Sequence, residues 1–246
     1  MGRHAHKKVV IVTGASRGFG REIALRFGRA GGRVVVNFLT REQDAAVVAD
    51  EVTRSGGEAV LFRADVRVAS QVDEMMMETV KQWGTVDVLV NNAGLTRDGL
   101  LLRMSEQDWD DVLDTNLKGA FHCIRSASAV MKEKREGHII NISSIVGMQG
   151  REGQANYSAS KAGLLGLAMA SAKEFGGFNV KINSVLPGYL STDMGENISD
   201  VILERILKDN VLGRASDPKE VAEFIFRLSL MNNVSGQVFN LDSRIF

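Results

Sequence analysis

The chain alternates short runs of β-branched and apolar residues with longer stretches in which apolar positions recur every three or four residues. The short runs are KVVIVTG (8–14), RVVVNF (33–38), EAVLFRAD (58–65), VDVLVNNAG (86–94), GHIINISS (137–144), VKINSVLPG (180–188) and GQVFNLD (236–242). Each reads as a strand, and most are apolar on both faces, as strands covered above and below must be. The stretches between them have helical period, as in Val72, Met76, Val80 and Trp83. Connections of that length are crossovers, so the seven strands form a parallel sheet with helices on both faces and right-handed links. This is a doubly wound α/β fold. With only two prolines and no Gly/Ser-rich linker, residues 1–246 read as a single domain. Ligands in such folds bind beyond the carboxyl ends of the strands.

Composition narrows the partners. Thirty basic residues balance thirty acidic ones, so bulk charge draws neither nucleic acid nor an anionic membrane, and phosphate recognition has to be local. A hydrophobic content of 44% suits a substantial buried core. No apolar run reaches the roughly 18 residues of a membrane span. The eight residues MGRHAHKK before the first strand are too few for a secretory signal; His4, His6, Lys7 and Lys8 read as a solvated terminus. The single cysteine, Cys123, cannot form an internal disulfide and sits in the apolar helical stretch GAFHCIRSASAV. A buried, inert thiol and a cytoplasmic location are expected.

The first strand runs directly into TGASRGFG (13–20), and an amphipathic helix follows. Gly14, Gly18 and Gly20 supply a tight turn, a close backbone approach to a pyrophosphate and a helix N-terminus aimed at negative charge, as in a Rossmann-type dinucleotide site. Ser16, Arg17 and Phe19 between them are candidate cofactor contacts. An NAD-specific enzyme places an acid about 20 residues past the glycines; here the candidate residue, near the end of the second strand, is Asn37. With no carboxylate to repel a 2′-phosphate, and with Arg17 in the loop and Arg41 beyond the strand, the expected cofactor is NADP(H).

In YSASK (157–161), Tyr157 and Lys161 are four apart and share one face of a helix. An ammonium near the phenol favours phenolate, and each unit of lowering requires ~1.4 kcal/mol of differential interaction. The spacing alone also describes an ordinary helical pair. Its place after Ser144, on the sheet edge that carries the glycine loop, gives it chemical meaning: a carbonyl reduction needs a proton that a nicotinamide does not provide.

Taken in order, TGASRGFG, NNAG, LDTNLKGAF, NISSIVG, YSASK and PGYLSTDM resemble the short-chain dehydrogenase/reductase family along nearly the whole chain. NNAGLTRDGLLLRM and GQANYSASKAGLLG are similar to the 3-oxoacyl-acyl-carrier-protein reductases of fatty-acid synthesis. The resemblance implies a catalytic tetrad of Asn116, Ser144, Tyr157 and Lys161. In it the tyrosine is the general acid or base and the serine orients the substrate oxygen. The lysine holds the nicotinamide ribose and lowers the tyrosine pKa, and the asparagine supports a proton-relay water. The same matching puts Asn92, Ala93 and Gly94 beside the cofactor, Asp65 and Val66 beside the adenine, and Pro187, Gly188 and Thr192 near the nicotinamide.

The implied activity is NADPH-dependent reduction of a 3-oxoacyl thioester on acyl carrier protein by a homotetramer. An acetoacetyl-CoA or polyketide ketoreductase is the nearest alternative, and a non-catalytic nucleotide-binding subunit a remoter one. Residues 188–213 read as a substrate flap, with a mobile helical part from Glu196 to Asn210. Two departures stand out. Arg135 occupies one position where such reductases carry a carrier-binding arginine, but Phe178 occupies the other. The C-terminal NLDSRIF has Ser243 and Arg244 where the family has two glycines, so a different final turn is expected.

Overall fold

A computed structural model of the chain describes residues 7–190 and 200–244. The strands are β1 (Val9–Val12), β2 (Arg33–Phe38), β3 (Glu58–Arg63), β4 (Val88–Asn91), β5 (Gly137–Ile142), β6 (Val180–Leu186) and β7 (Val238–Asn240). The first three helices are α1 (Gly18–Arg29), α2 (Glu42–Arg54) and α3 (Ala69–Trp83). Next come α4 (Glu106–Leu113), α5 (Gly119–Lys134), the short α6 (Val146–Gln149) and α7 (Ala155–Phe175). The last two are α8 (Asp200–Lys208) and α9 (Pro218–Leu228). All seven strands expected from the sequence form, and they pair in one parallel sheet of order β3-β2-β1-β4-β5-β6-β7.

Both faces of the sheet are covered, which is why the strands lack apolar/polar alternation. Val10, Val34, Val88 and Ile140 pack with Ile23 and Phe27 of α1, Val48 of α2 and Ile225 of α9. Their neighbours Ile11, Val35, Leu89 and Ile139 pack on the other face with Met76 of α3, Met131 of α5 and Ala168 of α7. The period of two within each strand thus divides the core into two layers. All four residues of β1 have no exposed surface; burying one such valine contributes roughly 1.5–3 kcal/mol. Val72 and Met76 are buried as expected, and α3 ends at Gly84, whose φ of 80° needs a residue without Cβ.

The strand order reverses between β1 and β4, where the loops leave to opposite sides and a crevice opens. Among the described residues no helix is long and apolar enough to cross a membrane.

Candidate active site

A cleft of about 580 Å³ opens at this edge, lined by the glycine loop, the ends of β2 to β6 and part of α7 and α8. Gly14 has φ 62° and Gly18 φ 54°, values that disfavour any side chain. A Cβ on Gly14 would stand 3.0 Å from the Cα of Ala93, and one on Gly20 would collide with the carbonyl oxygen of Gly14. The N-termini of α4 and α9 are capped by Ser105 and Asp217, whereas α1 has no side-chain cap at Arg17. The first N–H groups of α1 therefore border the cleft with the positive end of the helix dipole. A glycine cradle at an uncapped helix start fits a pyrophosphate, and the residues present fit a dinucleotide.

Two asparagines selected from the sequence, Asn37 and Asn92, bond the backbone of the glycine cradle. Asn37 is buried, accepts from the Gly14 amide at 3.1 Å, and donates to the carbonyls of Phe62 (3.2 Å) and Ala64 (3.1 Å). Its amide is thus committed to fixing the glycine loop to β2 and β3, and a ribose contact is not its visible task. Asn92 does the same from β4, donating to the carbonyls of Thr13 (2.9 Å) and Gly14 (3.1 Å). Asp65 lines the cleft with Val66, but Arg67 grips its carboxylate through Nε and Nη2 and holds its pKa down. Arg17 and Arg41 line the same end of the cleft; Arg41 bonds Asp44 at 3.2 Å at the surface.

Ser144, Tyr157 and Lys161 converge where β5 ends. Lys161 is buried, and its Nζ donates to the Ile142 carbonyl at 2.7 Å. Burial pushes this ammonium down to about 8. Tyr157 is pushed the other way, up to about 12: burial is the main cause, a hydrogen bond from Ser144 opposes it, and the Asp98 carboxylate adds to it. The sequence suggested that Lys161 would lower the tyrosine pKa. In the protein itself the Nζ sits 5.5 Å from the ring centroid and is engaged by a carbonyl, so desolvation prevails.

Of the two adjacent serines, Ser143 donates to the Lys161 carbonyl at 2.9 Å, while Ser144 faces Tyr157. Asn116 is buried in a π-helical turn, Asp114–Lys118, between α4 and α5; such turns recur at functional sites. Its side chain accepts from the Leu95 amide and donates to the Leu95 carbonyl and to Ser160. It therefore ties the loop after β4 to α7. Gly94 lies against it: a Cβ there would stand 3.2 Å from Asn116 Oδ1 and 3.7 Å from Lys161 Nζ.

Sequence reasoning missed Asn156, which has no exposed surface, accepts from the Tyr157 amide and donates to the carbonyls of Arg97 and Asp108. It also missed the bond from Gln154 to Asp98, which joins the loops after β4 and β5. Only their place in the three residues before Tyr157 pointed to them. Ser16, Phe19, Ala93, Pro187 and Gly188 line the cleft; Thr192, His4, His6 and Glu196 lie outside the described residues. Cys123 is buried with its thiol pushed up to about 12, an inert group. Arg135 does not line the cleft and sits beside Phe178.

The family model described as short chain dehydrogenase matches residues 8–202. The chain is 42% identical over 241 residues to the 3-oxoacyl-[acyl-carrier-protein] reductase FabG of Staphylococcus aureus strain Mu50, covering 97% of this chain and 98% of that protein. The FabG of Staphylococcus epidermidis strain ATCC 12228 is 42% identical over 241 residues, 97% of this chain and 99% of its own length. The 3-oxoacyl-[acyl-carrier-protein] reductase of a Synechocystis species is 44% identical over 238 residues, 96% of this chain and 95% of its own.

Proposed function

Because the chain belongs to the short-chain dehydrogenase family, we propose that it is an NADPH-dependent reductase of 3-oxoacyl thioesters in fatty-acid synthesis, acting on substrates carried by acyl carrier protein. The observation that carries this reading is the meeting of Ser144, Tyr157 and Lys161 at the end of β5, within one cleft with the glycine cradle. Similarity to three reductases of acyl-carrier-protein-linked substrates over nearly the whole chain supports the substrate.

When bound, the nicotinamide supplies the hydride. Tyr157, whose pKa lies well above neutral, is fully protonated at working pH and stands ready to give its proton to the substrate oxygen. Ser144 orients that oxygen from beside the phenol. Lys161 holds a positive charge at the junction of the cradle and the catalytic residues, where the ribose hydroxyls would lie, and Asn116 keeps the loop of Gly94 and Leu95 against α7. Gly14, Ser16, Gly18, Phe19 and Gly20 would hold the pyrophosphate, Arg17 and Arg41 the 2′-phosphate, Asp65 and Val66 the adenine, and Ala93, Pro187, Gly188 and Thr192 the nicotinamide end. Asn37 and Asn92 act by shaping the cradle.

The segment 188–213 is proposed to cover the substrate within a single domain. A cytoplasmic homotetramer completes the reading. Its support is the face of α7 bearing Ala162, Gly166, Met169 and Ala170, all exposed in the single chain, three of them small enough for close helix contact and the fourth a large apolar side chain.

One observation favours a second carrier. Phe178 is covered by the ammonium of Lys132 at 4.8 Å and the guanidinium of Arg135 at 5.9 Å, so the arginine expected at 178 is replaced by a ring that engages its cationic neighbours. A coenzyme A thioester is the alternative. NADPH oxidation with acetoacetyl groups on carrier protein and on coenzyme A decides: a carrier-protein preference in kcat/KM supports the first reading, a coenzyme A preference the second. No turnover on either, with tight NADPH binding, sinks both.

A further inference from the structure

The C-terminal segment departs from the sequence pattern of similar reductases and reaches the cleft. Arg244 lines it together with Tyr189, Leu190 and Ile206. Its Nε donates to Asp242 Oδ1 at 2.9 Å, its Nη2 bonds Oδ2, and its own amide donates to Oδ1 at 2.9 Å. The Asp242 side chain has no exposed surface and that of Arg244 is 17% exposed. This is a two-pronged fork; Arg67 grips Asp65 in the same way at the other end of the cleft, but there the arginine side chain is 39% exposed. Among the described residues only Arg135 and Asn179 combine a side chain with positive φ. Ser243 and Arg244 therefore follow a path that a side-chain-bearing residue adopts without strain, and the guanidinium is free to fold back on Asp242.

The fork sits at a junction. A Cβ on Gly188 would stand 3.4 Å from the Asp242 Cα, so the aspartate lies directly behind the Pro187–Gly188 turn. Arg244 bridges Asn210 in antiparallel fashion, and the Val211 amide donates to the Ser243 carbonyl at 3.1 Å. The chain just beyond α8 is thus bonded to the C-terminal segment. On the near side, Leu190 bridges Ser216, whose amide donates to the Tyr189 carbonyl at 2.8 Å. Ile206, buried on α8, is the apolar residue that this arrangement sets into the cleft wall.

We propose that the Asp242–Arg244 fork is a clasp that fixes the α8 wall of the substrate chamber, with Arg244 a positioning residue for the thioester substrate. This role for the clasp rests on the reductase reading above and extends it to the wall formed by Ile206 and Leu190. A guanidinium matches both carboxylate oxygens at once, whereas an ammonium is a single point charge on a flexible stem. The clasp therefore requires arginine, and a lysine leaves the wall unpinned.

The test uses the full-length protein with acetoacetyl-CoA and NADPH. Arg244→Lys keeps the charge, and the double variant Asp242→Asn with Arg244→Met removes both charges so that none is buried alone. Both should raise the thioester KM by roughly tenfold with a smaller change in kcat. NADPH affinity, read by fluorescence titration, should stay within about twofold of wild type, and amide exchange over residues 206–212 should quicken. Unchanged KM and exchange in both variants would overturn the clasp. So would full rescue by lysine, which would assign the effect to charge, or an equal loss of NADPH affinity, which would assign it to the cofactor. If wild type itself turns over no thioester, the reductase reading fails instead; the exchange measurement still judges the clasp.

Discussion

Lys161 donates from Nζ to the carbonyl oxygen of Ile142, the last residue of β5, across 2.7 Å. That bond anchors a buried cation at the carboxyl edge of the sheet, where burial has lowered its pKa from 10.5 to about 8. Between these two values the unfolded chain holds the proton and the folded one does not, so this group's contribution to stability rises with pH across that window. Below about 8 the buried charge costs roughly 3 kcal/mol. Replacing Lys161 with methionine removes the cost and strands one carbonyl, a loss of about 1–3 kcal/mol. The variant should be inactive, yet melt no lower than wild type at pH 7. Its melting temperature relative to wild type should fall between pH 8 and 10.5. Calorimetry at the two pH values checks the sign.

The same two shifts set the pH profile of reduction. Tyr157 keeps its proton until about 12, so it stays competent as a donor throughout the neutral range. Lys161 sheds its charge first. The kcat/KM for reduction should be level near pH 7 and decline above about 8 with a single ionisation. A decline centred below 7 would assign the controlling group elsewhere.

Asn37 shows why the cofactor choice is not a one-residue switch. Aspartate at this position is the obvious substitution toward NAD, yet a carboxylate there would face the Phe62 and Ala64 carbonyls without a proton to donate. Asn37→Asp should destabilise the protein by about 2–4 kcal/mol, seen as a lower urea midpoint, and should weaken NADPH binding without producing NADH preference.

Much of this was legible in the chain. Seven apolar runs gave seven strands because a doubly covered parallel sheet leaves no polar face to blur the pattern. Gly14 and Gly20 could be assigned because their roles depend on a missing side chain, which sequence reveals directly. Asn37, Asn92 and Asn116 were harder: an amide that lines a cleft and one that clamps a backbone look identical in sequence, and only the partners at Gly14, Thr13 and Leu95 distinguish them. The Tyr157 pKa in the protein without cofactor is out of reach of the sequence for a related reason. Helical spacing places Lys161 on the same face but says nothing of how far the phenol is desolvated, and desolvation is the main cause of its raised pKa.

The arginines at the adenosine end carry a separable prediction. Hydrogen bonds to a charged group contribute about 1.5–3 kcal/mol, so Arg17→Ala or Arg41→Ala should each weaken NADPH binding by roughly 10- to 100-fold while leaving NADH binding nearly unchanged. Fluorescence titration with both nucleotides checks it, and equal loss for both would remove the 2′-phosphate from the account.

Tyr157→Phe is the most direct trial of the central claim, because it deletes the proposed proton and little else. Stopped assays of NADPH consumption with an acetoacetyl thioester should show kcat lowered by roughly 10²–10⁴, with NADPH affinity within about twofold of wild type. Turnover within a few-fold of wild type would contradict the assignment of Tyr157 as the donor.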